Sequence, residues 1–119
     1  MKAHHGCPVQ ATINVLRGKW KVQAVWRLSF GPKRFAELRS LLRGVSDKVL
    51  TSQLRELEKD GVVIRITVRS SPPRVTYSLS PSGQKLIPLM EGMCDWGSKQ
   101  FGIKPNLPRN PRPARIASA

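Results

Sequence analysis

The chain has 119 residues, with 21 Lys and Arg against 7 Asp and Glu, a net charge of +14 and a hydrophobic fraction of 39%. That length sets a single domain, and so large a cationic surplus implies a polyanionic partner, nucleic acid before anionic membrane. It carries no apolar run long enough to cross a bilayer and no signal-type N-terminus, while two distant cysteines, Cys7 and Cys94, exclude a disulfide framework or a structural zinc site.

A soluble, cytoplasmic protein is therefore expected, without membrane partner, metal or cofactor. His4 and His5 beside Cys7 lack a fourth ligand at a workable spacing. Both histidines lie near the N-terminus, there is no glycine-rich phosphate loop, and no nucleophile has a base at catalytic spacing. The chain does not read as an enzyme.

In chain order, Pro8 suits the first turn of a helix, and Val9, Ile13 and Leu16 form its apolar stripe up to Gly18. A second helix is expected from Lys19 to Phe30, with Trp20, Val22, Ala24, Val25, Trp26 and Leu28 as apolar bulk. Its tryptophans read as core rather than as a platform for stacked bases. Gly31-Pro32 breaks it. A third helix follows from about Phe35 to Leu42, with Phe35, Leu38, Leu41 and Leu42 inward and Arg34, Arg39 and Arg43 outward.

The stretch from Gly44 to Gly61 carries most of the functional information. Ser46 is an N-cap, Asp47 sits where the helix dipole favours an acid, and Gly61 can end the helix in the left-handed conformation. Leu50, Leu54 and Leu57 form one buried stripe. Lys48, Thr51, Ser52 and Arg55 fall on the opposite face, and cations with hydroxyls are the groups that bind phosphates and base edges. The acids Glu56, Glu58 and Asp60 sit at the far end, which suits a helix that meets a polyanion only through its first two turns. Two short helices joined by the turn Arg43-Gly44-Val45 match a helix-turn-helix whose second helix enters the major groove of duplex DNA.

After Gly61 the period changes to two. Val62, Ile64, Ile66 and Val68 alternate with polar neighbours, as do Val75, Tyr77 and Leu79, and Ser70-Ser71-Pro72-Pro73 makes a loop between them. This hairpin over residues 62–79, with Arg69 and Arg74 near its tip, reads as a wing that reaches adjacent phosphates or the minor groove. Ser80-Pro81 opens a last helix whose broad apolar side includes Leu86, Leu89, Met90, Met93, Cys94 and Trp96, with a kink expected at Pro88. So apolar a helix has more to bury than one small core covers, and a homodimer through the first and last helices is expected. Residues 104–119, with Lys104, Arg109, Arg112 and Arg115 among prolines, are expected to form a disordered basic tail.

These residues resemble a known family. Cys7-Pro8, Gly18-Lys19-Trp20-Lys21, Gly31-Pro32 and Arg34-Phe35 with Glu37-Leu38 look like the HxlR-type helix-turn-helix regulators. So do Ser46, Lys48, Leu50-Thr51, Leu54-Arg55-Glu56-Leu57-Glu58 and Gly61, followed by Pro72-Pro73-Arg74-Val75 and Tyr77-Ser78-Leu79. The resemblance spans about residues 7–100. It implies a dimeric bacterial transcriptional regulator with a winged-helix fold close to the MarR group. Arg17, Thr76 and the Pro/Arg tail depart from the family pattern, and Thr76 in place of an acid makes the wing more cationic. Some members sense electrophiles or oxidants through a cysteine at the position of Cys7, and a helix N-terminus is a place that favours a thiolate.

The expected fold is thus mostly α with a small β-hairpin wing, a winged helix-turn-helix over residues 1–103. The expected function is recognition of a pseudo-palindromic operator in double-stranded DNA by a homodimer, with half-sites about 34 Å apart. Ser46, Asp47, Lys48, Thr51, Ser52 and Arg55 would read bases or neighbouring phosphates, and Arg34, Arg39, Arg69 and Arg74 would hold the backbone; the residues specify no effector. The rival is a basic nucleoid-like or RNA-associated protein that coats nucleic acid without sequence preference.

Overall fold

In the computed structural model, which describes residues 6–105, the chain runs α1 (Pro8–Val15), α2 (Lys19–Leu28), β1 (Lys33–Arg34), α3 (Phe35–Leu41), α4 (Asp47–Lys59), β2 (Val63–Val68), β3 (Arg74–Leu79), α5 (Pro81–Gln84) and α6 (Leu86–Phe101). His4, His5 and residues 106–119, which hold most of the expected tail, lie outside the described residues. The architecture is mostly helical with one small antiparallel sheet, the winged helix-turn-helix expected.

The core is built around α4. Its Leu50, Leu54 and Leu57 are buried against Val25 and Leu28 of α2, Leu38 of α3, and Leu42 and Val45 of the intervening turn. The same cluster runs on through Val62, Val63 and Leu79 to Ile87 and Met90. Local chemistry fixes the ends of α4: the Ser46 hydroxyl accepts from the Val49 amide at 3.1 Å, and Gly61 takes φ +78° just beyond the helix. At the start of α3 the Glu37 carboxylate accepts the Arg34 backbone N–H at 2.8 Å, closing that helix N-terminus.

Three features differ from the sequence reading. The wing supplies two strands of a three-stranded sheet and is not a lone hairpin: the strand order is β1-β3-β2, with Lys33 opposite Tyr77 and Arg34 opposite Thr76. Two residues are too short to carry a periodic signal, so β1 is invisible before the fold exists. Helix α2 ends at Leu28, because the amides of Phe30 and Gly31 turn to the carbonyls three residues back and tighten the last turn. The last helix is interrupted at Lys85 rather than at Pro88 itself. Proline has no N–H to offer the Gln84 carbonyl four residues earlier, so the helical pattern lapses one turn before it.

Two sets of apolar side chains stay outside the core. Along β2, Ile64, Ile66 and Val68 are exposed, and burial is confined to Val62 and Val63 at the base of the wing. On α1 and α6, Val9, Ile13, Leu89, Met93 and Trp96 face outward, with Phe101 packed edge-on against Trp96 at 5.9 Å. Of the α1 stripe, only Leu16 just past its end is buried.

Candidate nucleic-acid interface

Burying Leu50, Leu54 and Leu57 leaves the opposite side of α4 no choice but solvent. Lys48, Ser52 and Arg55 are exposed, and Thr51 is half-buried. With Asp47 and Glu56 they line an open depression of about 540 Å³ along the helix. Thus the structure gathers Asp47, Lys48, Thr51, Ser52 and Arg55 on one face. Ser46 is spent on capping the helix.

The remaining cations are distributed around this face. Arg39 of α3 lies 3.3 Å from the Asp47 carboxylate, so two expected DNA contacts are paired with each other across the turn. Arg34 is exposed on β1, opposite Thr76 in the sheet. Arg69 and Arg74 stand exposed on either side of the wing loop, Arg74 in register with Val68. The tip arginines are therefore carried by the hairpin and not by the helix-turn-helix.

The acids at the far end of α4 have a structural use. Lys21, buried at 5% exposure on α2, donates to the Glu56 carboxylate. Arg65 of the wing lies 3.7 Å from Glu58. Both carboxylates are thereby tied back to neighbouring elements, which reduces their repulsion of an approaching phosphate. Next to them, the Tyr77 hydroxyl has its pKa raised, chiefly by burial and then by the Glu58 carboxylate, with Arg65 and Arg55 opposing. Wing base and helix end thus form one electrostatic neighbourhood.

Neither Lys21 nor the two carboxylates were assigned this role from the sequence. A signal existed: Lys21 shares a helical face with Ala24, Val25 and Leu28, all buried. A cation on an apolar stripe has to find a partner or leave the core.

The base of the wing is fixed through one side chain. The Ser80 hydroxyl accepts from the Gly83 amide at 2.9 Å and donates to the Gly61 carbonyl at 2.6 Å, while the Ser80 backbone N–H donates to the Val62 carbonyl at 2.9 Å. Gly83 approaches so closely that a Cβ there would lie 2.3 Å from the Val62 carbonyl oxygen. Gly61 and Val62, in the link from α4 to β2, are thus held by the start of α5.

Cys7 is exposed at the N-cap position of α1, and Cys94 is half-buried on α6. Among the described residues no group of three or more His, Cys, Asp or Glu is placed to hold a metal ion, and no helix is long and apolar enough to cross a membrane.

Comparison with known proteins agrees with this fold. The family model of HxlR-like helix-turn-helix proteins matches residues 15–104. The HTH-type transcriptional regulator YdeP of Bacillus subtilis (strain 168) is 46% identical over 94 residues, covering 79% of this chain and 73% of YdeP. The crystal structure of the HTH-type transcriptional regulator ytcD superposes with a TM-score of 0.76 at 40% identity, covering 82% of this chain and all of that one. The redox regulator HypR in its reduced form gives a TM-score of 0.74 at 40% identity, covering 79% of this chain and 93% of that one.

Proposed function

Because this chain belongs to the HxlR-like helix-turn-helix family of transcriptional regulators, we propose that it binds a pseudo-palindromic operator in double-stranded DNA as a homodimer, on the nucleoid in the cytoplasm. Helix α4 lies in the major groove, with Asp47, Lys48, Thr51, Ser52 and Arg55 toward the bases and neighbouring phosphates. Arg34 and Arg39 hold the flanking backbone, and Arg69 and Arg74 on the hairpin reach the adjacent phosphates or minor groove. The observation that supports this most is the division of α4: its cations and hydroxyls are open, while Glu56 and Glu58 are drawn aside by Lys21 and Arg65.

The dimer reading rests on the outward apolar side chains of α1 and α6, above all Met93 and Trp96 at 59% and 64% exposure. A face of that kind is rarely left in water on a monomeric protein.

Footprinting on the DNA flanking the protein's own gene, followed by competition against random duplex at physiological salt, tests the whole reading. A regulator prefers its site by about a thousandfold or more. Equal affinity for every duplex would instead leave a non-specific nucleoid-like or RNA-associated protein.

A redox or electrophile response through Cys7 is a second reading, favoured by the exposure of that thiol at the head of an outward-facing helix and by the kinship with HypR. If Cys7→Ser responds to diamide in DNA binding as the parent does, the idea fails.

A further inference from the structure

Val49 stands on the first turn of α4, 39% exposed, and takes no part in the hydrophobic core. Every other large exposed apolar side chain among the described residues lies on α1, along β2, or in or just after α6. Val49 is thus the one such residue on the helix proposed to enter the major groove. It flanks the open face, about 60° round the helix axis from Ser52 and nearly one turn closer to the N-terminus. We propose that Val49 packs against the C5 methyl group of a thymine in each half-site, and that it sets a base preference which the polar contacts of α4 do not supply. This role rests on the DNA reading.

Local chemistry argues against valine at this position. Ser46 is the N-cap and its hydroxyl accepts the Val49 amide at 3.1 Å, so Val49 is the third residue of the helix. There a glutamate or glutamine can reach back to the N-cap amide and satisfy a second open donor. The same chain uses that device on α3, where the Glu37 carboxylate accepts the Arg34 amide at 2.8 Å. On α4 it is forgone, and valine is also a poorer helix former than either alternative. A glutamate would repel phosphates, but a glutamine would close the box without charge. An apolar side chain therefore stands where neither capping nor core packing asks for one, and such departures from local preference are expected at functional positions.

The major groove offers one apolar group at the base edges, the thymine methyl; the other three bases present hydrogen-bond donors and acceptors there. The N-terminal residues of a recognition helix are the ones that reach base edges. The bond from the Val49 amide to Ser46 fixes the backbone of this turn, and a valine in a helix keeps essentially one χ1 rotamer. The isopropyl group is consequently presented with little side-chain entropy to lose. Contact with the methyl removes apolar surface of both partners from water. Lys48, Ser52 and Arg55 can bond to phosphates or to more than one kind of base, so the valine adds a selection that they lack.

The test uses the full-length protein and a duplex that it selects from a random pool, with affinities read by fluorescence anisotropy at fixed salt. Each thymine of one half-site is replaced in turn by uracil, which removes the methyl and leaves every hydrogen-bonding group in place. One position is expected to lose affinity about fourfold, the size of effect that burial of a single methyl group produces. Val49→Ala is expected to bind the thymine and uracil duplexes equally. Val49→Gln completes the capping box and should melt no lower than the parent, so its loss of the thymine preference cannot come from unfolding. A parent protein indifferent to uracil at every position, or either variant keeping the preference, would overturn this role and leave the DNA reading standing. Failure to select any duplex would refute the DNA reading and this role together.

Discussion

Arg39 and Asp47 face each other at 3.3 Å across the turn that separates α3 from α4. Both side chains are more than half exposed, so the pair contributes little to stability, about 0.5 kcal/mol or less. Its larger effect is to cancel the charge of the acid at the head of the open face of α4, the face that the proposed reading turns toward the major groove. Arg39→Ala should leave the melting temperature almost unchanged yet weaken operator binding by about 1–2 kcal/mol, and Asp47→Ala in that background should restore part of the loss. A double-mutant cycle in a fluorescence anisotropy assay reads this directly; additive losses would make the two residues independent.

Arg55 stands in the middle of the open face of α4. If it is bidentate to a guanine, Arg55→Ala should cost about 1–3 kcal/mol and relax one operator position. A uniform loss across sequences, with a shallower salt dependence, would make it a phosphate contact instead.

The two halves of the Lys21–Glu56 pair should respond unequally to mutation. Lys21→Met leaves a carboxylate that water can reach, whereas Glu56→Gln leaves a buried ammonium facing a neutral amide. We expect a cost of about 1 kcal/mol for the first and about 2–3 kcal/mol for the second, measured by urea denaturation. Equal costs would mean that Lys21 finds another partner.

Gly83→Ala should be among the most damaging single-methyl changes. The added Cβ would meet the Val62 carbonyl oxygen at 2.3 Å, and that obstacle is backbone. The joint between α5 and the wing base has to open, at about 2–4 kcal/mol. Thermal unfolding checks it; a variant as stable as the parent would show that the close approach is not maintained in solution.

On α6, Met93→Glu places a charge in the middle of the outward apolar face without touching the core. Sedimentation should find the parent dimeric and this variant monomeric at micromolar concentration, because a desolvated carboxylate without a partner opposes association. A monomeric parent would remove the dimer from the proposal.

What was legible in the sequence is what local chemistry fixes. Ser46, Gly61 and the leucine stripe delimit α4 within a residue, because capping, left-handed φ and helical period all act within a few positions. The open cationic face follows from that stripe by geometry alone. The pairings among elements were not legible: β1 needs β3 to exist, and Lys21 needs Glu56 from 35 residues away. The wing also carried a misleading signal. Ile64, Ile66 and Val68 have the period of a buried face, yet the core reaches only to Val63, since the hairpin projects past the helices that could have covered it. The acids Glu56 and Glu58 of α4 read in the sequence only as an end kept away from a polyanion, and their structural use emerged when their cations on α2 and β2 came into place.

The short strand β1 precedes α3 directly and hydrogen-bonds to β3, so the wing shares a seam with α3 while Ser80 clamps the opposite corner. In the proposed dimer on DNA, each protomer would accordingly act as a gauge with fixed jaws, presenting wing and α4 at one mutual angle to every operator. On that reading, tolerance for half-sites set slightly too near or too far would come from the joint between protomers, and substitutions on α1 and α6 should alter which spacings are accepted without altering which bases are read.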